Sequence, residues 1–322
     1  MLKNFKKVLT ICASTCLLGT FVNAQETIYD PDKIAEIFYK LNGDPNDSKA
    51  RVNHKKGFCA NATFIADKNF NLSNLNIPLF NQAAIPVQVR YSLGGAIQDD
   101  KSKQRGMALK FMGNEDSWTM VMLNTEINFA KNPKEFGQFF EMKIPNLMDQ
   151  KTIDDLNNNV DSYKNFSAYL DKIGISSLEH TPFYSIHTFW FKEKGKDKTI
   201  PARWKFIPKD GISYLSQSEL KSASKDFLKE DFIAYTKNKP IEYQMYLEFP
   251  NKGDAVDDTT ALWTGDHKTL LVGTLKVEKY DGEACNQDVY FPSELPSGVE
   301  APIDPLFDLR TPTYAITFGK RQ

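Results

Sequence analysis

Two stretches near opposite ends of the chain carry the residue types best suited to chemistry. Arg51-Val52-Asn53-His54-Lys55-Lys56-Gly57 sets one histidine among three cations. Histidine is the side chain most often used to move protons, although read alone His54 is more simply a surface or core histidine. Asp304-Pro305-Leu306-Phe307-Asp308-Leu309-Arg310-Thr311-Pro312-Thr313-Tyr314 sets an arginine four residues before a tyrosine. That spacing puts both on one helix face, a turn apart. A free phenol keeps its proton to about pH 10, and a guanidinium so placed would stabilise the phenolate. Read alone, the pair is a contact on a helix surface. Cys59 follows His54 by five residues; with Cys285 it leaves open a disulfide, two buried thiols or a redox role. His187 reads as a hydrogen-bonded core residue, His180 and His267 as loop residues. No CxxC pair, HExxH or Gly-rich phosphate loop occurs, so the common zinc and nucleotide signatures are absent.

The elements that must position these residues can be traced along the chain. Lys3, Lys6 and Lys7 precede an apolar run from Val8 to Val22, and Val22-Asn23-Ala24 offers small residues for cleavage. Residues 1–24 are therefore expected to be a secretory signal peptide, with 25–322 as a single domain that is periplasmic or secreted and has no membrane span. Asp30-Pro31 opens a helix that Gly43 closes. Val87, Val89 and Tyr91 alternate in one strand, Met107, Leu109 and Phe111 in the next, and Trp118 to Phe129 forms a third run. Pro133 to Asp149 and Ile153 to Ile173 have helical spacing. Strands are expected again at Ser185–Phe191, Ala202–Ile207, Ile241–Phe249 and Leu270–Lys279, with helical segments between Gln217 and Asn238. A last helix spans about Leu306–Phe318, and Pro312 argues for a break in it. This order predicts one α+β domain organised around an antiparallel sheet or barrel. Apolar residues make up 41% and charged residues 25%, as in a globular domain, and the net charge of -1 gives no electrostatic case for a nucleic-acid partner or an anionic membrane.

Taken in order, the motifs resemble the catalase family. Arg51 and His54 match its distal motif. Pro86-Val87-Gln88-Val89-Arg90-Tyr91-Ser92 resembles its Arg-Phe-Ser strand, and Arg105-Gly106-Met107-Ala108-Leu109-Lys110-Phe111 the strand that follows. The stretch from Asp304 to Tyr314 aligns without a gap to its proximal helix. The resemblance runs from about Val52 to the C-terminus. It implies a catalase-core β-barrel with inserted and flanking helices and a haem cofactor, haem b. Tyr314 would be the axial ligand of the iron, stabilised as phenolate by Arg310 and favouring O–O cleavage. Arg51, Arg90 and Arg321 would meet the propionates, and Phe129 and Phe136 would pack near the haem. His54, oriented by Ser92, would take a proton from peroxide and return it to the leaving oxygen. An oxoferryl haem would remain for a second peroxide or an electron donor to reduce.

The stretch Val121 to Phe129 departs from the family pattern. Leu123 stands where the family has its distal asparagine, and Asn128 replaces the first of two phenylalanines; a one-residue shift would instead give the distal place to Asn124. Leucine offers peroxide no hydrogen bond, so dismutation of hydrogen peroxide should be impaired and peroxidase chemistry relatively favoured. Rearrangement of organic hydroperoxides and non-catalytic haem binding are the rival functions. The sequence ends eight residues after Tyr314. The resemblance therefore implies no C-terminal helical domain, no NADPH and no interlocked tetramer, but a monomer or homodimer acting on a small-molecule peroxide.

Overall fold

The computed structural model describes residues 27–322 apart from Leu72. The expected signal peptide lies outside the described residues. Ten strands form one antiparallel sheet: β1 (Gly57–Ala66), β2 (Ile85–Leu93), β3 (Arg105–Met112), β4 (Ser117–Leu123), β5 (Phe183–Tyr184), β6 (Phe189–Lys192), β7 (Thr199–Pro208), β8 (Ile241–Glu248), β9 (Thr269–Tyr280) and β10 (Val299–Glu300). Their order is β10-β6-β7-β5-β4-β3-β2-β1-β9-β8, and β7 also pairs with β8. That last pairing closes eight strands into a barrel and leaves β6 and β10 as an extension beside β7. Alternate residues fill the barrel, among them Trp118, Trp204, Phe64, Phe111 and Phe206, as a small barrel requires. The other residues of each strand face outward.

The helices are α1 (Pro31–Asn42), α2 (Lys68–Asn71), α3 (Pro133–Glu141), α4 (Gln150–Asn159), α5 (Asp161–Lys172), α6 (Gln217–Ser222), α7 (Phe227–Thr236) and α8 (Pro305–Gly319). α1, α3, α5 and α8 bury their apolar faces in a second core outside the barrel, around Ile34, Phe38, Phe129, Phe166, Leu306 and Leu309. The chemistry lies between this layer and the barrel wall.

Four boundaries differ from those expected, each for a local reason. β4 stops at Leu123 because the Asn124 side chain replaces the ladder, accepting from Arg105 N at 2.8 Å and donating to Lys103 O at 2.7 Å. The segment expected to be helical to Asp149 ends at Glu141, with Pro145 and Asn146 (φ 61°) turning the chain. The next splits at Val160, which is extended after three asparagines. α8 runs unbroken through Pro312; the carbonyl deprived of its amide partner belongs to Asp308, on the exposed side.

Ser185–Thr188, expected as strand, leaves the sheet. Ile186 has φ 63°, a costly value for a β-branched residue. Ser185 Oγ donates to His187 O at 2.8 Å, closing a tight turn. Cys59 and Cys285 form a disulfide that links β1 to a 3-10 turn at Ala284–Asn286, across 226 residues. In the chain-entropy description such a loop stabilises by up to about 5 kcal/mol.

Candidate active site

Three neighbouring strands build the floor of the site. Ser92 on β2, Gly106 on β3 and Leu123 on β4 lie in one row across the outer wall. His54 packs over Gly106: a Cβ there would sit 2.8 Å from Ser92 Oγ and 3.1 Å from His54 Nδ1. The missing side chain makes room for the hydrogen bond between His54 Nδ1 and Ser92 Oγ, at 3.0 Å. His54 has φ 51°, a strained backbone held by its neighbours. Arg90 Nη2 donates to its carbonyl at 2.7 Å, and Asn53 Oδ1 accepts from its amide at 3.0 Å. Burial first, and then the charges of Arg90, Arg51 and Arg310, push its imidazole down to about 3. His54 is therefore neutral at physiological pH, a base ready to accept a proton.

α8 forms the opposite side. Arg310 Nη2 donates to Tyr314 Oη at 2.9 Å. The start of the helix is fixed by Asp304, whose Oδ1 accepts from Leu306 N and Phe307 N at 3.2 Å while Oδ2 meets His187 Nδ1 at 2.7 Å. Both partners are buried. Burial pushes the His187 imidazole down, and the hydrogen bond to His187 holds the Asp304 carboxyl low against the opposing effect of its own burial. His187 and Ile186 line the cavity beside Arg310. The tight turn at Ile186 thus aims His187 at the helix cap that orients Arg310 and Tyr314. His187 is a buried, bonded core residue as expected; Asp304 was not singled out by its sequence position, and its capping role was the only signal available.

A cavity of about 510 Å³ separates wall and helix, with His54 and Tyr314 both on its lining. Phe129 and Phe136 also line it, stacked at 5.2 Å. Phe139, which sequence reasoning missed, stacks on Phe129 at 3.9 Å. Leu123 faces the same space. Asn124 does so as well; its Oδ1 accepts from Arg105 N and its Nδ2 donates one of its two protons to Lys103 O. Asn128 also lines the cavity, and its Oδ1 accepts from Phe129 N at 2.9 Å.

An adjoining lobe is again lined by His54 and Tyr314, and by Arg51, Arg90 and Arg321. These guanidiniums converge on neutral acceptors. Arg51 bonds the carbonyls of Asn286 and Asp288, Arg321 the same two carbonyls, and Arg90 the Asn286 side chain. Burial, followed by the charges of Arg90 and Arg321, brings Arg51 down to about 9; burial brings Arg90 to about 10. Among the described residues, the Asp288 carboxylate bears favourably on Arg90 and Arg321, and its Oδ2 already accepts from Gln88 at 3.2 Å. Three cations against one anion leave two positive charges in excess. Two carboxylates at one edge of a bound group would meet that excess with charge-assisted bonds. Haem, which carries two propionates, fits the residues present.

Barrel wall, facing helix and cationic edge together enclose a cavity with a histidine and a tyrosine on its lining and three guanidiniums at its edge. The model of the catalase family matches residues 46–322. The chain is 29% identical over 283 residues to a catalase-related peroxidase of Synechococcus elongatus, covering 84% of this chain and 83% of that one. A catalase-related peroxidase of Mycolicibacterium paratuberculosis is 23% identical, over 84% and 88% of the two chains. Catalase A of Saccharomyces cerevisiae has the same fold, with a TM-score of 0.73 at 20% identity; 84% of this chain spans 60% of that one. The chain belongs to the catalase family.

Proposed function

We propose that this chain is an exported haem peroxidase that reduces hydrogen peroxide or organic hydroperoxides and releases dioxygen only weakly. As a member of the catalase family it is an oxidoreductase acting on peroxide. One observation carries the finer assignment: a His54 imidazole bonded to Ser92 and a Tyr314 hydroxyl held by Arg310 line one cavity. Tyr314 would hold the iron, Arg51, Arg90 and Arg321 the propionates, and Phe129 and Phe136 would pack against the apolar part of the group. When bound, haem supplies an iron centre that draws two oxidising equivalents from an O–O bond.

The chain's own residues manage the proton. With Nδ1 committed to Ser92, Nε2 of His54 is left to take the proton of the approaching peroxide. It returns that proton to the oxygen that leaves as water or alcohol. Depressed basicity keeps the imidazole open for the first of these steps. Leu123 withholds a hydrogen bond from a second hydrogen peroxide, which disfavours dismutation. The phenylalanine-lined cavity favours organic hydroperoxides or donors over small polar ones. The Cys59–Cys285 bridge supports residence in an oxidising compartment.

The test is an absorption spectrum of the purified protein loaded with haem, before and after peroxide, with oxygen release measured beside oxidation of an organic donor. A tyrosinate-ligated ferric spectrum that peroxide changes and a donor restores is expected. Dioxygen release at the pace of an ordinary catalase would refute the peroxidase assignment.

A further inference from the structure

The cationic edge is organised by a single turn of chain. Asn286 O accepts from Arg51 at 3.1 and 3.2 Å and from Arg321 at 3.1 Å. Asn286 Oδ1 accepts from Arg90 Nε at 2.8 Å, while its Nδ2 donates to Gly57 O at 2.8 Å. Asp288, two residues on, supplies the second shared carbonyl. Gly57 lets Arg90 pass: a Cβ there would lie 2.7 Å from Nη2. The residue before Asn286 is Cys285, bonded to Cys59 in β1, and Cys285 N donates to Cys59 Sγ at 3.0 Å. Three like charges repel one another, so their convergence depends on acceptors fixed in place. The bridge is the covalent tie that fixes them.

We propose that the Cys59–Cys285 bridge and Asn286 are positioning elements for the arginine edge, and that the chain binds haem tightly only after the two thiols have been oxidised. This rests on the haem assignment above. Oxidation proceeds by exchange with a disulfide-bearing oxidant. One cysteine thiolate attacks a sulfur of the oxidant and expels its first thiol. The second cysteine thiolate attacks the mixed disulfide and expels the other. Two electrons and two protons pass to the oxidant, which leaves as two thiols. Both cysteines are buried in the folded chain, so the bridge closes before or during folding. In a reducing compartment the edge stays unset and haem is held more weakly.

The experiment titrates apo protein with haem and with haem dimethyl ester, which lacks the two charges, following the Soret band. Oxidised protein is compared with protein refolded under excess dithiothreitol and with the doubly substituted Cys59→Ala/Cys285→Ala chain. Circular dichroism establishes the fold of each. Reduction or double substitution should weaken haem binding about tenfold or more, as loss of charge-assisted bonds does, and leave the ester unaffected. Asn286→Asp keeps the bridge but places a competing carboxylate among the arginines; it should produce the same selective loss. Asn286→Asp decides the matter if the bridgeless chain fails to fold. Undiminished haem affinity in the folded reduced chain or in Asn286→Asp overturns the proposal. So does an equal loss for haem and ester, which would mean general loosening. If oxidised protein binds neither porphyrin, the haem assignment itself fails and takes this proposal with it.

Discussion

The pocket has two unlike borders. Along one, Arg51, Arg90 and Arg321 gather on carbonyls of a turn tied down by a disulfide. Along the other, His54, Ser92 and Leu123 stand on a strand-paired wall, with His54 set in place by a glycine. The first border is built from charge without a matching counter-charge, which suits it to holding an anion. The second sets one base, held by the Ser92 hydroxyl, beside the apolar Leu123, which suits it to handling a proton. Holding and reacting are thus assigned to different elements, and substitutions should separate them.

The largest effect should come from His54→Gln. It removes the base, and kcat/KM for peroxide should fall about 10²- to 10⁴-fold while haem affinity in a Soret titration stays near wild type. Arg90 is where the separation should break. Its Nη2 supports the strained His54 carbonyl while Nε belongs to the edge, so Arg90→Met should reduce both haem affinity and turnover, each about tenfold or more. Arg51→Gln should act on holding alone. The loss of a charge-assisted bond, about 1.5–3 kcal/mol, corresponds to a ten- to hundredfold weaker haem complex whose turnover, once saturated, is unchanged.

The pH dependence tests the reacting border. Because the His54 imidazole is pushed down to about 3, chiefly by burial, kcat/KM should stay level as pH falls through 6.5. A fall centred there would mean an ordinary, solvated histidine. Apo-protein stability should show the corresponding sign. The unfolded chain takes up this proton near 6.5 and the folded chain only near 3. Stability is therefore constant above 6.5 and lost below it, by about 1.4 kcal/mol per pH unit from this group; melting temperatures at pH 4 and pH 7 measure it. The smallest change should be Leu123→Asn, which restores one donor and should raise oxygen release about two- to tenfold.

Much of this was legible in the sequence because the signals were local. A four-residue spacing placed Arg310 beside Tyr314, alternation marked Val87, Val89 and Tyr91 on one face of β2, and Asp30-Pro31 marked the start of α1. The ends of β4 and α3 were misjudged because side-chain substitutes for backbone bonds, as at Asn124, carry no periodic signature. Pro312 shows the converse: a strong local breaker was tolerated because the carbonyl it orphans faces solvent.

By itself the sequence determined the order of the motifs and most of the strands and helices, since strand alternation and helical spacing are properties of neighbours; the barrel core and the pocket residues were expected from the resemblance to the catalase family. Only the tertiary structure decided that Asn286 organises three distant arginines, that His187 meets Asp304, and that Cys59 bonds Cys285. Apart from Asn286 and Arg321, which are 35 residues apart, those pairings join positions more than a hundred residues apart. The Arg51 and Arg321 contacts rest on backbone carbonyls that any residue type could supply, so only folding can specify them.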